Sequence, residues 1–153
     1  MLKNKTTTRT RILLADDSPA VLAGIRRLLD PEFEIVGCVS DGLALVAAAK
    51  TLRPDVLIVD IMMPGISGLE AVRRLRKIPR FGVTAILLTV LNDPALVVEA
   101  RTAGAMGYVV KSSADRDLVD AIHAAQAGQF YLSPTRERTH PPALRPAKTL
   151  QKR

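Results

Sequence analysis

Residues 55–68 read DVLIVDIMMPGISG, and this stretch predicts both the fold and the chemistry of the chain. Positions 56–59 are continuously apolar, which is typical of a strand that is covered on both faces of a parallel sheet. Asp60 follows the run directly, and Pro64-Gly65 marks the loop that comes next. The stretch therefore indicates a buried strand that presents a carboxylate at its carboxyl end.

Three other apolar runs have the same form, because each is followed at once by polar side chains. The runs are 12–15 before Asp16 and Asp17, 85–88 before Thr89, and 108–110 before Lys111. The carboxyl ends of parallel strands meet at one edge of a sheet, where ligands bind. We therefore expect these four side chains and that of Asp60 to lie together.

Segments of helical period separate the predicted strands. Ser18 and Pro19 are suited to the cap and the first position of a helix, and apolar residues then recur at helical spacing. The predicted strands are 12–15, 33–39, 56–59, 83–88 and 107–110, with 33–39 at a sheet edge. Such strict alternation predicts an α/β fold, with a five-stranded parallel sheet, right-handed crossovers and five helices on both faces.

Composition limits the class of protein. The chain has 153 residues, which favours one domain, and 48% of them are apolar. Cys38 is the sole cysteine, so an intrachain disulfide is impossible. No apolar stretch approaches the length of a membrane span. These features predict a cytoplasmic protein without membrane contact.

The net charge of +7 is concentrated at the two ends. Residues 1–11 hold four basic side chains, and residues 136–153 hold six against the single acid Glu137. We expect a basic extension at 1–10, a folded domain at 11–132 and a Pro-containing, disordered tail at 133–153. A basic tail can contact nucleic acid phosphates, but a solvated tail is the preferred interpretation, and DNA binding by this chain is not expected.

The predicted edge would gather three carboxylates, one hydroxyl and one ammonium. Crowded carboxylates repel one another, and burial together with like charge raises at least one pKa. A divalent ion and Lys111 would relieve this conflict, and few, hard oxygen ligands suit Mg²⁺. Asp60 could then act as a nucleophile toward phosphorus, and Thr89 could donate a hydrogen bond to the phosphoryl group.

The chain resembles the receiver domains of two-component response regulators, more narrowly those of the NarL/FixJ type. The resemblance covers roughly residues 10–134 and is carried by ILLADDSP at 12–19, DVLIVDIMMPGISG at 55–68 and AGAMGYVVKS at 103–112. It implies a flavodoxin-like fold with strand order 2-1-3-4-5. It also implies Mg²⁺-dependent transfer of a phosphoryl group from a sensor histidine kinase.

The resemblance assigns a role to each candidate residue. Asp60 is implied as the phosphoacceptor. Asp16 and Asp17 are implied as the acidic pair, in which Asp17 binds the metal directly. Tyr108 is implied as the switch aromatic. The implied metal ligands are Asp16, Asp17, Asp60 and the backbone carbonyl of Met62, and the implied phosphoryl contacts are Thr89 and Lys111. As a switch, Tyr108 would fill the space that Thr89 leaves. As an aromatic in a strand, it would simply be core.

The same resemblance predicts how the signal is passed on. The face made by helix 4, strand 5 and helix 5 would change shape and serve as a homodimer contact, with Leu96, Val97 and Val98 as candidates. We do not expect an enzyme acting on an external substrate, beyond catalysis of the chain's own phosphorylation and dephosphorylation. The partner kinase and the stimulus are not specified by the sequence.

Two positions depart from the common receiver pattern. Val90 stands where many receivers have Ala or Gly, and its larger side chain is expected to narrow the site and slow phosphoryl exchange. Ser112 stands where many have Pro, which leaves the isomer of the Lys111–Ser112 peptide bond open.

Three other classes of function are alternatives to a receiver domain that signals by protein–protein contact. Residues 133–153 contain nothing able to form the usual helix-turn-helix output domain, so the chain is alternatively a truncated or frameshifted transcriptional regulator. An aspartyl phosphatase would need a D-x-D pair, but Met62 lies two residues after Asp60. A flavin carrier would need a Ser-, Thr- and Gly-rich loop where this chain has Asp16-Asp17-Ser18-Pro19.

Overall fold

The computed structural model describes residues 8–134, so residues 1–7 of the predicted basic extension and residues 135–153 of the predicted tail lie outside the described residues. The strands are β1 (Arg11–Ala15), β2 (Glu34–Val39), β3 (Val56–Asp60), β4 (Thr84–Thr89), β5 (Gly107–Val110) and β6 (Tyr131–Leu132). The helices are α1 (Pro19–Leu29), α2 (Gly42–Leu52), α3 (Gly68–Arg76), α4 (Pro94–Ala103) and α5 (Ala114–Gln126). A short 3-10 turn, Lys111–Ser113, joins β5 to α5.

The strands form one parallel sheet in the order β2-β1-β3-β4-β5-β6. The predicted order of the first five strands is confirmed, with β2 at an edge. The predicted number of five strands is wrong, because Tyr131 pairs with Gly107 and Leu132 with Tyr108 to add a sixth. Two residues are too few to show a period in the sequence, so β6 depends on the free edge that β5 offers.

Alternate side chains of each central strand enter different cores. In β1, Leu13 and Ala15 pack under α2, α3 and α4, whereas Ile12 and Leu14 pack under α1 and α5. All five residues of β3 are buried, as expected for a central strand with helices on both faces. Helices therefore cover both faces of the sheet, and the candidate residues follow strands that are packed on both sides.

Local signals start the helices as the sequence predicts. The Ser18 hydroxyl accepts a hydrogen bond of 3.2 Å from the Val21 amide, and Pro19 occupies the first turn of α1. Pro94 plays the same part in α4, where Asp93 is the cap. Both helices therefore begin directly beyond the sheet edge that carries the candidate residues.

Within residues 8–134, no helix combines the length and the apolar character that crossing a membrane requires. No peptide bond in this part of the chain is cis. The Lys111–Ser112 bond, whose isomer the sequence leaves open, is therefore trans.

Candidate functional site

Strand register brings the predicted site residues together. Ala15 of β1 is paired with Val59 of β3, so Asp16 and Asp60 follow at neighbouring positions. Thr89 is the last residue of β4 and is paired with Val110, directly before Lys111. The expected gathering at one sheet edge is thus observed for these residues.

Three carboxylates form the floor of the site. Asp16, Asp17 and Asp60 each offer an oxygen, and these oxygens all lie within 4.8 Å of one another. Asp16 is 1% exposed and Asp60 is 4% exposed, whereas Asp17 faces solvent. The cluster therefore combines two buried charges with one that remains accessible from outside.

Lys111 supplies the opposing charge. Its Nζ lies 2.7 Å from Oδ2 of Asp16 and 3.3 Å from Oδ2 of Asp60. The end of β5 aims the side chain across β4 and β3 toward β1. The ammonium therefore joins two carboxylates that would otherwise repel one another at close range.

The pKa values of Asp60 and Lys111 reflect burial and the charges that surround them. Burial raises the pKa of Asp60, and the Asp16 charge adds to this, whereas the Met62 amide and Lys111 act in the opposite direction without cancelling it. Burial alone would lower the pKa of Lys111, but its contacts with Asp16 and Asp60 outweigh burial and raise it. Lys111 therefore remains charged, and one carboxyl pKa is raised as predicted.

The donor set fits a small divalent cation. Oδ2 of Asp16 is buried, and its partner is the Lys111 ammonium, 2.7 Å away. This one ammonium faces three carboxylates whose oxygens lie within 4.8 Å of one another, so further positive charge would relieve their repulsion. Asp16, Asp17 and Asp60 would hold such an ion, and carboxylate oxygens are the ligands that Mg²⁺ prefers.

Met62 and Thr89 contribute through different atoms. The Met62 amide donates a 3.1 Å hydrogen bond to Oδ1 of Asp60, while the Met62 side chain is 62% exposed. The role of the Met62 carbonyl as a metal ligand stays a prediction. Thr89 is buried, and its Oγ1 accepts a 3.1 Å hydrogen bond from the Leu91 amide, which leaves the hydroxyl proton free for donation.

Tyr108 lies fully inside the fold. Its hydroxyl donates a 2.6 Å hydrogen bond to the backbone carbonyl of Leu91, and burial raises the pKa of the phenol. The predicted switch aromatic thus contacts the same loop residue as Thr89. Both interpretations of Tyr108, as core and as switch, are compatible with this position.

A groove of about 560 Å³ opens beside the acidic cluster between α1 and α5. Its walls are mainly apolar, and Lys111 is at its end. Part of this lining comes from Val21, Ile25, Leu28 and Ala114. The groove is therefore chemically distinct from the acidic floor, and it shares Lys111 with the acidic site.

Sequence reasoning missed four residues that support the site. A Cβ built on Gly68 would lie 2.2 Å from the carbonyl oxygen of Asp60, so a glycine is required where α3 starts against β3. Ser113, Asp117 and Ser133 form a buried hydrogen-bonded cluster next to the end of β5. The spacing of Ser113 and Asp117, four apart across the start of a helix, was the one signal that could have revealed the pair.

The fold and the site define a parallel α/β protein with a cluster of carboxylates, able to hold a cation, at the carboxyl edge of its sheet. The response regulator receiver domain family matches residues 12–123. The chain belongs to this family, as the sequence motifs imply.

Known proteins support this assignment. The chain is 37% identical over 124 residues to the nitrate/nitrite response regulator protein NarL of Escherichia coli K12, covering 80% of this chain and 57% of NarL. It is similar to a LuxR-family two-component response regulator from Aurantimonas sp. SI85-9A1, with 35% identity and a TM-score of 0.78 over 83% of this chain and 91% of that one. The non-phosphorylated receiver domain of Escherichia coli RcsB gives 32% identity and a TM-score of 0.75, over 83% of this chain and all (100%) of that one. The chain thus spans little more than half the length of NarL.

Proposed function

We propose that this chain accepts a phosphoryl group on Asp60 in a Mg²⁺-dependent reaction and thereby switches a protein-interaction face. The position of the Lys111 ammonium, between Asp60 and Asp16 in the acidic cluster, is the observation that carries the proposal. It places a fixed cation where a transferred phosphoryl group would place its negative oxygens. The donor in the cell is a sensor histidine kinase, as for the family.

The reaction is a displacement at phosphorus. A carboxylate oxygen of Asp60 forms the new O–P bond, and the bond from phosphorus to the donor's imidazole nitrogen breaks. The electron pair of that bond leaves with the imidazole, so the product is an aspartyl phosphate and no redox reagent is needed. The Met62 amide holds one oxygen of Asp60 and so restricts its orientation.

Each neighbouring group has a separate task. Lys111 pairs with the equatorial phosphoryl oxygens, and Thr89 donates its hydroxyl proton to one of them. A bound Mg²⁺ supplies positive charge that offsets the carboxylates and the incoming phosphoryl group. Phosphoryl transfer depends on charges held in fixed positions, and the strand ends at the carboxyl edge of the sheet position these side chains.

The switch involves the loop between β4 and α4. Thr89 and Tyr108 both contact Leu91, so a Thr89 that turns toward the phosphoryl group gives up its bond to the Leu91 amide. Because the Tyr108 ring is already buried, switching changes what its hydroxyl contacts rather than bringing an exposed ring inward. Val98 of α4 is 63% exposed, which makes it the most accessible of the candidate dimer residues, since Leu96 and Val97 are half-buried.

Intact mass measurement with a small phosphodonor and Mg²⁺ tests the phosphoacceptor. We expect one added phosphoryl group on the native chain, none on Asp60→Asn, and normal addition on Asp120→Asn, in which an exposed α5 carboxylate is changed. Addition to Asp60→Asn, or none to the native chain, would contradict the proposal.

Sedimentation velocity on the same samples tests the output. A shift from monomer to dimer that requires both Mg²⁺ and phosphodonor would support the α4–β5–α5 contact, and Val98→Asp should abolish the shift while leaving phosphorylation intact. Dimer formation by Val98→Asp would place the contact elsewhere.

A second function follows from the similarity to NarL, of which this chain covers 57%. We propose, as the alternative, that residues 8–134 are the receiver part of a transcriptional regulator with a DNA-binding output. Reading the DNA that follows codon 153 in all frames tests this directly. A helix-turn-helix coding region in any frame would favour it, and unrelated sequence would oppose it.

A further inference from the structure

Ser133, the first residue after β6, is held tightly by the end of β5. It is 3% exposed, although the sequence places it in the tail that follows residue 132. Its backbone amide donates a 3.0 Å hydrogen bond to the carbonyl of Tyr108. Its hydroxyl accepts a 3.0 Å bond from the Val110 amide and donates a 2.8 Å bond to Oδ2 of Asp117. The amide and the hydroxyl of Ser133 thus bind two elements at once.

Asp117 extends this arrangement to the turn that carries Lys111. The carboxylate is 4% exposed, and its Oδ2 also accepts a 2.8 Å hydrogen bond from the Ser113 hydroxyl. Ser113 is the last residue of the 3-10 turn that begins at Lys111. Two hydrogen bonds of 2.8 Å therefore meet at one buried oxygen and connect the turn, α5 and Ser133.

The cluster lies directly behind the site lysine. Val110, whose amide is bound by Ser133, immediately precedes Lys111, and Ser113 follows it by two residues. Both peptide segments that flank Lys111 are therefore fixed by groups that converge on one oxygen of Asp117.

We propose that Ser133 and Asp117 are positioning residues for Lys111, and that they couple occupancy of the phosphoryl site to how firmly Ser133 is held after β6. The inference rests on the proposed phosphoacceptor function. Lys111 would shift when it pairs with a phosphoryl group. The shift would change the hydrogen bonds that Val110 and Ser113, on either side of Lys111, make with Ser133 and Asp117. By thermodynamic reciprocity, holding Ser133 in place favours occupancy, and occupancy in turn holds Ser133 more tightly.

A purely structural role predicts a different outcome. If the cluster only closes the edge of the sheet, removing the Ser133 hydroxyl lowers thermal stability and leaves ligand binding at the site unchanged. If it positions Lys111, the same change weakens binding as well. Binding affinity, measured well below the unfolding temperature, therefore separates the two roles.

The experiment uses the full chain and Mg²⁺ with beryllofluoride, a stable stand-in for the phosphoryl group, measured by titration calorimetry. Ser133→Ala should raise the dissociation constant at least about threefold. Ser133→Thr, which keeps a hydroxyl, should restore most of the affinity. Ser112→Ala changes an exposed serine of the same turn and should bind as the native chain does. An unchanged affinity of Ser133→Ala, or an equal loss in Ser112→Ala, would overturn the proposal.

Hydrogen exchange on the native chain provides a test that does not depend on any variant folding. Addition of Mg²⁺ and beryllofluoride should slow exchange of the Val110 and Ser133 amides by several-fold. Unchanged or faster exchange at both amides, with ligand bound, would refute the coupling while leaving the phosphoacceptor function in place. A native chain that binds no beryllofluoride and gains no phosphoryl mass would instead refute the proposed function, and this inference with it.

Discussion

The phenol of Tyr108 donates a 2.6 Å hydrogen bond to the backbone carbonyl of Leu91. The amide of the same residue donates to Oγ1 of Thr89. Leu91 is thus held on one side by the candidate switch aromatic and on the other by the candidate phosphoryl contact. The backbone of Leu91, rather than a direct Thr89–Tyr108 hydrogen bond, connects the two side chains in this structure.

Tyr108→Phe tests how strongly this bond holds the loop. Loss of a buried hydroxyl donor should destabilise the fold by about 1 kcal/mol, measured by urea unfolding. Hydrogen exchange at the Leu91 amide should accelerate, because Leu91 has lost its hydrogen bond from the Tyr108 hydroxyl. The Ala44 amide, which is capped by Asp41 at the start of α2, is the internal control and should not change. Equal acceleration at both amides would point to general loosening instead.

Asp60→Asn should stabilise the chain at neutral pH when no Mg²⁺ is present. The pKa of Asp60 is raised in the folded state, so its ionised form opposes folding above that pKa, and this penalty disappears as pH falls below the unfolded value of 3.8. The difference in Tm between Asp60→Asn and the native chain should therefore be large at pH 7 and shrink toward pH 3.8.

Added Mg²⁺ provides the control for the Asp60 prediction. The ion should raise the Tm of the native chain more than that of Asp60→Asn, because it neutralises a charge that the variant lacks. A native chain that is more stable than Asp60→Asn at pH 7 without Mg²⁺ would show that Lys111 outweighs the repulsion, contrary to the raised pKa.

Gly68→Ala should distort the site through the backbone. An added methyl group would meet the Asp60 carbonyl oxygen and the Val59 side chain, at 2.2 and 2.7 Å, so α3 and the end of β3 must separate. We expect a loss of about 1–3 kcal/mol in stability, by urea unfolding, and a large drop in phosphorylation rate. Gly24→Ala is the matched control, since nothing lies within 4 Å of its Cβ, and it should stabilise α1 by about 0.5–1 kcal/mol. Normal stability and phosphorylation of Gly68→Ala would contradict the structure here.

Val90→Ala tests access to the site. Val90 directly follows Thr89 and its side chain is 68% exposed, so it acts at the mouth of the site rather than in the core. We expect a small phosphodonor to phosphorylate Val90→Ala about two- to fivefold faster than the native chain. This corresponds to a decrease of less than about 1 kcal/mol in the activation free energy. Leu43→Ala, which changes an exposed leucine of α2, should leave the rate unchanged. A slower or unaltered rate in Val90→Ala would remove steric narrowing as an explanation.

Much of the sheet could be predicted because its signals are local. The apolar run at 56–59 requires burial on both faces, and the polar residue after each such run then lies at a common edge. Asp60, Thr89 and Lys111 were found in this way without knowledge of any contact. β6 was not predicted, because two residues carry no period and pair only because the edge of β5 is available.

The sequence by itself determined the alternation of strands and helices, the helix start at Ser18-Pro19, and the set of acidic residues in the site. These follow from backbone preferences and side-chain chemistry within a few residues. Tertiary structure alone decided that Lys111 joins Asp16 to Asp60, that Gly68 must lack a side chain, and that Ser133 belongs to the fold. The physical reason is distance along the chain, since each contact joins elements whose proximity exists only after the sheet has assembled.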